Sequence, residues 1–182
     1  MKINASLNKR DITDAINKIK WYQSYLQWKM EQFVSELAEV GIEIAKQNIL
    51  VEEDGVLKDR SNLVEFTKDV SGSVEGVTCI VTALPQPYTT YWKQSKNGKK
   101  MYSAQVNPLL MAEFGSGAKA IDGHRGTFPA QRNAFRDHWV WYDLDGEKHY
   151  SSGSEPSRPL FKAKQEMEQQ ILTVAKRVFG TS

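Results

Sequence analysis

The sequence predicts an α+β fold: a long N-terminal helix and a C-terminal helix packed on a small, mainly antiparallel sheet, with two extra β-hairpins. Three observations predict it. Apolar residues recur every three or four positions through the first quarter of the chain and again near its end. Between these stretches the apolar period falls to two. Two dipeptides, Asn97-Gly98 and Asp145-Gly146, punctuate strand-like runs as hairpin turns do. With 182 residues the chain fits one substantial domain, residues 1–182, with hairpin additions at about 88–103 and 137–150.

The first helix is expected over about residues 11–48. Ile12, Ile16, Ile19, Leu26, Met30, Phe33, Leu37, Val40 and Ile44 form one stripe, with Tyr22 or Gln23 bridging its single gap. Asp11 is the expected N-cap, and Asp14 complements the positive end of the helix dipole. At about 1.5 Å per residue such a helix reaches roughly 55 Å, more than one domain of this size covers. Trp21, Tyr25 and Trp28 follow at i, i+4 and i+7 on a different face. They either cover the domain's own sheet or meet another subunit, since Trp and Tyr are enriched in interface cores.

After Glu52-Glu53-Asp54-Gly55, Val64, Phe66 and Val70 alternate with polar residues, as do Val77, Cys79 and Val81. Two strands are expected, turning at Ser71-Gly72, the second the more buried; Pro85 and Pro87 close the section. The hairpins follow: Tyr88–Trp92 against Met101–Ser103, and His138–Tyr142 against His149-Tyr150. Asn-Gly and Asp-Gly suit type I′ turns because both residues tolerate positive φ. Between the hairpins stands NPLLMAEFGSG, residues 107–117. Pro108 opens a short helix of good formers, and Gly115-Ser116-Gly117 ends it and frees a loop reaching Pro129. Phe114 is expected to be a buried anchor there, with positive φ at Gly115. The last helix runs from Pro159 to about Phe179, with Ser157 as its cap. Its apolar face carries Phe161, Met167, Ile171, Leu172, Val174, Ala175 and Val178.

Composition narrows the function classes. Hydrophobic residues are 40% and charged residues 25%, as in folded proteins. A formal net charge of +2 is too small to imply nucleic-acid binding by itself. The single cysteine, Cys79, excludes an internal disulfide and fits assembly in a cytosol. MKINASLNKRD lacks the apolar core of a secretory signal, and no run approaches the ~20 apolar residues of a membrane span.

Catalytic and cofactor motifs are not found. Gly115-Ser-Gly-Ala-Lys119 lacks the Ser or Thr that follows a phosphate-loop lysine. His124, His138 and His149 have no metal spacing, although His138 and His149 could face each other across a hairpin. No Gly-x-Ser-x-Gly elbow or Cys/His nucleophile pattern occurs. Glu113, alone in an apolar segment, is expected to pair with a cation or bind backbone amides; a perturbed carboxylate is the alternative. No catalytic residue, cofactor or metal site is therefore assigned. Lys93, Lys96, Lys99 and Lys100 interleave with Tyr91, Trp92 and Tyr102 around Asn97-Gly98. They read as a solvated tip whose lysines discourage edge pairing; the alternative is a module that binds nucleic acid through phosphates and stacking.

The order of parts resembles the tail-component family of long-tailed bacteriophages, the neck or tail-completion proteins near the head–tail joint. In that family a segment rich in Tyr and Ala leads into Glu-Phe-Gly-Thr/Ser, and Pro-Phe-Leu-x-x-Ala opens the C-terminal helix. Ala112-Glu113-Phe114-Gly115-Ser116 matches the first. Arg158-Pro159-Leu160-Phe161-Lys162-Ala163 approaches the second, with Phe and Leu exchanged and the Ala one residue early. The resemblance covers the helix ends and core sheet and leaves out the two hairpins. It implies a non-enzymatic virion protein of the tail or neck, assembled in the bacterial host cytoplasm. It acts in tail completion or head–tail joining as a ring-forming adaptor.

Its implied partners are copies of itself in a ring such as a hexamer, the adjoining tail tube or tail terminator, and the head connector. The resemblance implies that DNA passes at most through the lumen and that no membrane is involved. Trp21, Tyr25, Trp28, Glu113, Phe114, Gly115, Ser116, Arg158, Pro159 and Phe161 are the expected interface residues. A nucleic-acid-binding module and a small hydrolase using Glu113 are the rival readings.

Overall fold

Asn8 starts the first helix. Its side-chain oxygen accepts from Asp11 N at 2.8 Å, and its amide donates to Asp11 Oδ2 at 3.0 Å. The cap therefore lies three residues before Asp11, whose carboxylate faces the dipole from within the first turn. The computed structural model describes residues 8–53, 56–73, 75–122, 124–125 and 135–180. Helix α1 spans Lys9–Gln47, 39 residues. It is followed by β1 (Leu50–Glu53), β2 (Val56–Asp59), β3 (Val64–Gly72), β4 (Val77–Pro85), β5 (Tyr88–Lys93) and β6 (Met101–Val106). Then come α2 (Pro108–Phe114), β7 (Trp139–Tyr142), β8 (Lys148–Ser151) and α3 (Pro159–Phe179). The fold is α+β. Among the described residues no helix is long and apolar enough to cross a membrane.

Two compact units divide the chain, and α1, β3, β4 and α3 each give residues to both. The first comprises 1–39, 68–81 and 169–182. Here Ala38, Val174 and Val178 are buried, and Phe33 and Phe179 approach with ring centroids 6.0 Å apart. Arg177 Nε and Nη2 each lie 2.7 Å from Glu36 Oε2, and Lys29 Nζ donates to the Val178 carbonyl at 2.6 Å. Lys68 binds Ser35 and Glu39.

The β3–β4 hairpin turns at Ser73–Gly76, not at Ser71-Gly72. Gly72 stays in the strand because it lies against α1, where a Cβ would come within 2.5 Å of Glu31 Oε1. Nor is β4 the more buried strand. It has no fully buried residue and exposes Ile80, whereas β3 buries Val64.

The second unit comprises 40–67 and 82–168. Its core is Ile49, Val51, Val64, Leu109 and Ala112, with Phe66, Ala83 and Met111 packed against it. The short apolar helix of the sequence is thus a plug: α2 starts at Asn107, whose side chain accepts from Leu110 N at 3.0 Å, and buries Pro108, Leu109 and Ala112.

The two hairpins join edge to edge in one antiparallel sheet of order β6-β5-β7-β8, with Lys93 opposite Tyr142. Their turns are not type I′. Among the described residues only Arg158 has positive φ without being glycine, which excludes Asn97 and Asp145, and Gly98 is not left-handed either. The Lys93–Met101 pairing leaves a longer loop, 94–100, that relieves Asn97-Gly98 of a tight reversal. In the other, Gly146 alone turns left-handed, at φ 86.

Along α3, Ala163, Val174 and Val178 are buried, but Phe161, Ile171 and Leu172 of the predicted apolar face are exposed.

Candidate functional site

The two quoted motifs, about 45 residues apart in sequence, come together at the start of α3. Arg158 occupies the N-cap position, and its side chain has no oxygen to offer the helix. Pro159 fills the first helical position and has no N–H. The next two amides are taken by Glu113 from the end of α2. Leu160 N donates to Glu113 Oε2 at 2.7 Å and Phe161 N to Oε1 at 3.2 Å. A carboxylate here satisfies two orphan donors and opposes the helix dipole. Glu113 is therefore a helix cap supplied from a distant segment, in line with the backbone-amide expectation.

Ser157 does not cap. Its hydroxyl lies 2.6 Å from the Asn48 carbonyl and 3.0 Å from that of Leu50, and can donate to one at a time. The amides of Ser157 and Arg158 both donate to the Ala112 carbonyl, at 2.8 and 2.9 Å. That convergence forces the reversal in which Arg158 has φ 56. Its guanidinium then lies 4.5 Å from the Phe161 ring centroid, and Pro159 is fully buried beside it.

Gly115–Gly117 is not free loop. Ser116 exchanges backbone bonds with Ser154 at 2.9 and 3.2 Å, and Ala118 N donates to the Ser152 carbonyl at 2.8 Å. Ser116 Oγ accepts a further bond from Ser154 N at 3.0 Å. Gly115 has positive φ, 72, as expected, and a Cβ there would approach the Ser154 carbonyl to 2.5 Å. Gly153, at φ 107, presses on the Ser116 carbonyl so closely that no side chain fits. Lys119 and Glu52 close the margin with an ion pair at 2.7 Å. Of the predicted loop, Gly123 and residues 126–129 lie outside the described residues.

Phe114 is half-buried rather than a buried anchor, because it caps the edge of the plug and stacks on His124 with centroids 4.3 Å apart. The 152–154 segment, with Gly153 and Ser154, escaped the sequence reading. Its signal is a glycine inside a serine-rich run, which looks like a spacer until its partner at 115–117 is known.

Trp21, Tyr25 and Trp28 are exposed side chains. They stack along α1, Trp21 on Tyr25 at 5.5 Å and Tyr25 against Trp28 at 6.0 Å, and Trp21 remains 65% and Trp28 49% exposed. Every described residue from Ile16 to Leu26 is exposed, including Ile16, Ile19 and Leu26 of the apolar stripe. From Gln27 onward the helix is largely covered.

The remaining candidates have other roles. His138 and His149 do not face each other: Trp141 stands opposite His149, its ring stacked at 4.4 Å. His149 Nε2 lies 3.1 Å from Asp143 Oδ2, and Glu147 N donates to Asp143 Oδ1 at 2.8 Å. The His149 bond first, and the Glu147 amide second, hold the Asp143 carboxyl below its usual range. With Glu147, these groups place their ligand atoms within 4.8 Å, the one such donor set able to hold a divalent cation among the described residues. Its bonds already account for its shape, as a clasp on the turn. Desolvation pushes the Cys79 thiol up, away from a reactive thiolate.

Comparison of the chain with protein-family models, curated proteins and solved structures finds no match.

Proposed function

We propose that this protein is a non-enzymatic component of a phage or prophage particle, a ring-forming adaptor at the head–tail interface. The observation that carries the reading is the bare half of α1. Residues 12–28 present an apolar stripe and a stacked aromatic ladder that stay exposed among the described residues. A long amphipathic helix left uncovered exposes apolar surface that association removes from water. In a ring, each copy lays this helix on a different surface of its neighbour, a head-to-tail interface that closes on itself. The meeting of Glu113-Phe114-Gly115-Ser116 with Arg158–Phe161 gives the motifs of the tail-component resemblance a shared structural role.

The test is mass measurement of the purified protein, alone and with the products of neighbouring genes, joined to imaging of any assembly. Closed rings, or capture by a connector or tail-tube protein, are the expected outcome. A strictly monomeric protein that joins neither overturns the reading. A gene position between connector and major tail genes would support it independently.

A further inference from the structure

We propose that one face of the β6-β5-β7-β8 sheet is a platform for single-stranded nucleic acid, an activity separate from the ring-forming reading. Cross-strand partners share a face. Met101, Lys93, Tyr142 and Lys148 are successive partners and so form one row across all four strands. Tyr91 lies two residues before Lys93 on β5, and Tyr150 two residues after Lys148 on β8, both on this same face. Tyr91 is 53% and Tyr150 65% exposed.

The register sets the spacing. From Tyr91 to Tyr142, and from Tyr142 to Tyr150, the step is one strand across and two residues along. With strands about 4.8 Å apart and about 3.4 Å per residue, each step is roughly 8 Å. The three tyrosines thus run diagonally over the sheet, with Lys93 and Lys148 on either side of the central ring. Duplex bases stack about 3.4 Å apart along each strand, too close to use these steps. Bases of a single strand can be splayed to meet them, each stacking on a ring while lysines hold phosphates.

Charge is sorted to match. The four strands contain no Asp or Glu. Of the nearest carboxylates, Asp143 bonds His149, whose ring stacks on Trp141 on the opposite face, while Glu147 stays beside Lys148. Lys148 Nζ lies 4.7 Å from the Tyr150 centroid, and exposed Lys96, Lys99 and Lys100 extend the positive margin through the adjoining loop. Beside Tyr142, a shallow depression of about 580 Å³ is lined by Lys96, Gly146 and Lys148 together with the carboxylates Asp145 and Glu147, so the positive margin is interrupted at this turn. The hairpin tip alone reads as a solvated turn; its junction with the second hairpin makes the surface.

The test uses the full chain and a labelled 20-nucleotide oligo-dT or oligo-U, followed by fluorescence anisotropy at roughly 50 and 200 mM salt. Saturable binding is expected, weaker for a duplex of equal length and weaker in high salt. Tyr91→Ala and Tyr150→Ala should each reduce affinity by about ten-fold or more, Tyr91→Phe and Tyr150→Phe by little. Lys93→Gln with Lys148→Gln should flatten the salt dependence. Circular dichroism and melting confirm that each variant is folded; should Tyr150→Ala unfold, Tyr150→Ser and the lysine pair carry the test. No saturable binding at low salt overturns the proposal. So does equal competition by heparin, an acidic polymer without bases, or affinity unchanged in the folded tyrosine variants.

Discussion

The junction at the start of α3 and the first half of α1 are opposites built from similar material. Each sets aromatic side chains beside charged ones. At the junction three polar residues have tasks within the chain: Glu113 caps α3, Ser157 reaches Asn48, and Ser116 pairs with Ser154. Along α1, Trp21, Tyr25 and Trp28 stack in a line while remaining exposed, and Lys29 lies 5.2 Å from the Trp28 ring. A region completed internally contributes to stability; one left incomplete is available to a partner. Substitutions in the first region should therefore lower the melting temperature, and in the second should change association and leave melting alone.

The largest loss is expected from Gly153→Ala. Its φ of 107 strains any L-residue, and the added Cβ would collide with the Ser116 carbonyl, a backbone atom that cannot swing aside. A cost of about 3 kcal/mol or more would leave a marginal domain largely unfolded, measured by chemical denaturation. A variant that melts with the parent would show that 115–117 and 152–154 are not tightly paired. Glu113→Ala comes next. Two amides at the start of α3 lose a charged acceptor, for about 1–2 kcal/mol. Glu113→Gln, which keeps one oxygen, should recover part of it.

Phe114→Ala should cost less than a core phenylalanine. Full burial would imply about 3–5 kcal/mol, but a half-buried ring stacked on His124 implies about 1–2. A loss at the core value would mean that Phe114 anchors the plug.

What the sequence made legible follows the range of the interaction. The 39 residues of α1 obey a local period that repeats many times, so its existence is clear and only its cap slips, from Asp11 to Asn8. Asn107 and Pro108 likewise specify α2 through neighbours a few residues away. Strand existence at 88–93 and 101–106 was readable, but the joining of Lys93 to Tyr142 spans 48 intervening positions and has no local signature. Glu113 shows the limit most plainly. Its residue type suggested a backbone-amide partner, yet which amides it would hold was set by the reversal at Arg158, a long way along the chain. Trp21, Tyr25 and Trp28 were visible as a helical line, but the pattern alone did not show that they lie exposed.

Trp28→Ala should have the smallest effect on the fold and so gives the sharpest contrast. The indole is 49% exposed and stacks on Tyr25 within the same helix, and the residues around it on the N-terminal side are exposed too. Its removal deletes little buried surface and slightly favours the helix, since Ala has the higher propensity. The melting midpoint of the dilute monomer should stay within the equivalent of about 0.5 kcal/mol of the parent, as surface substitutions usually do. Assembly should respond differently: a tryptophan at the centre of a contact contributes about 2 kcal/mol or more to binding, a thirty-fold loss of affinity. Sedimentation at several concentrations reads both quantities on one sample. If Trp28→Ala lowers the monomer's melting temperature as far as Glu113→Ala does, the aromatic line belongs to the chain's own core. If neither melting nor mass changes, the bare half of α1 is not where neighbouring copies meet.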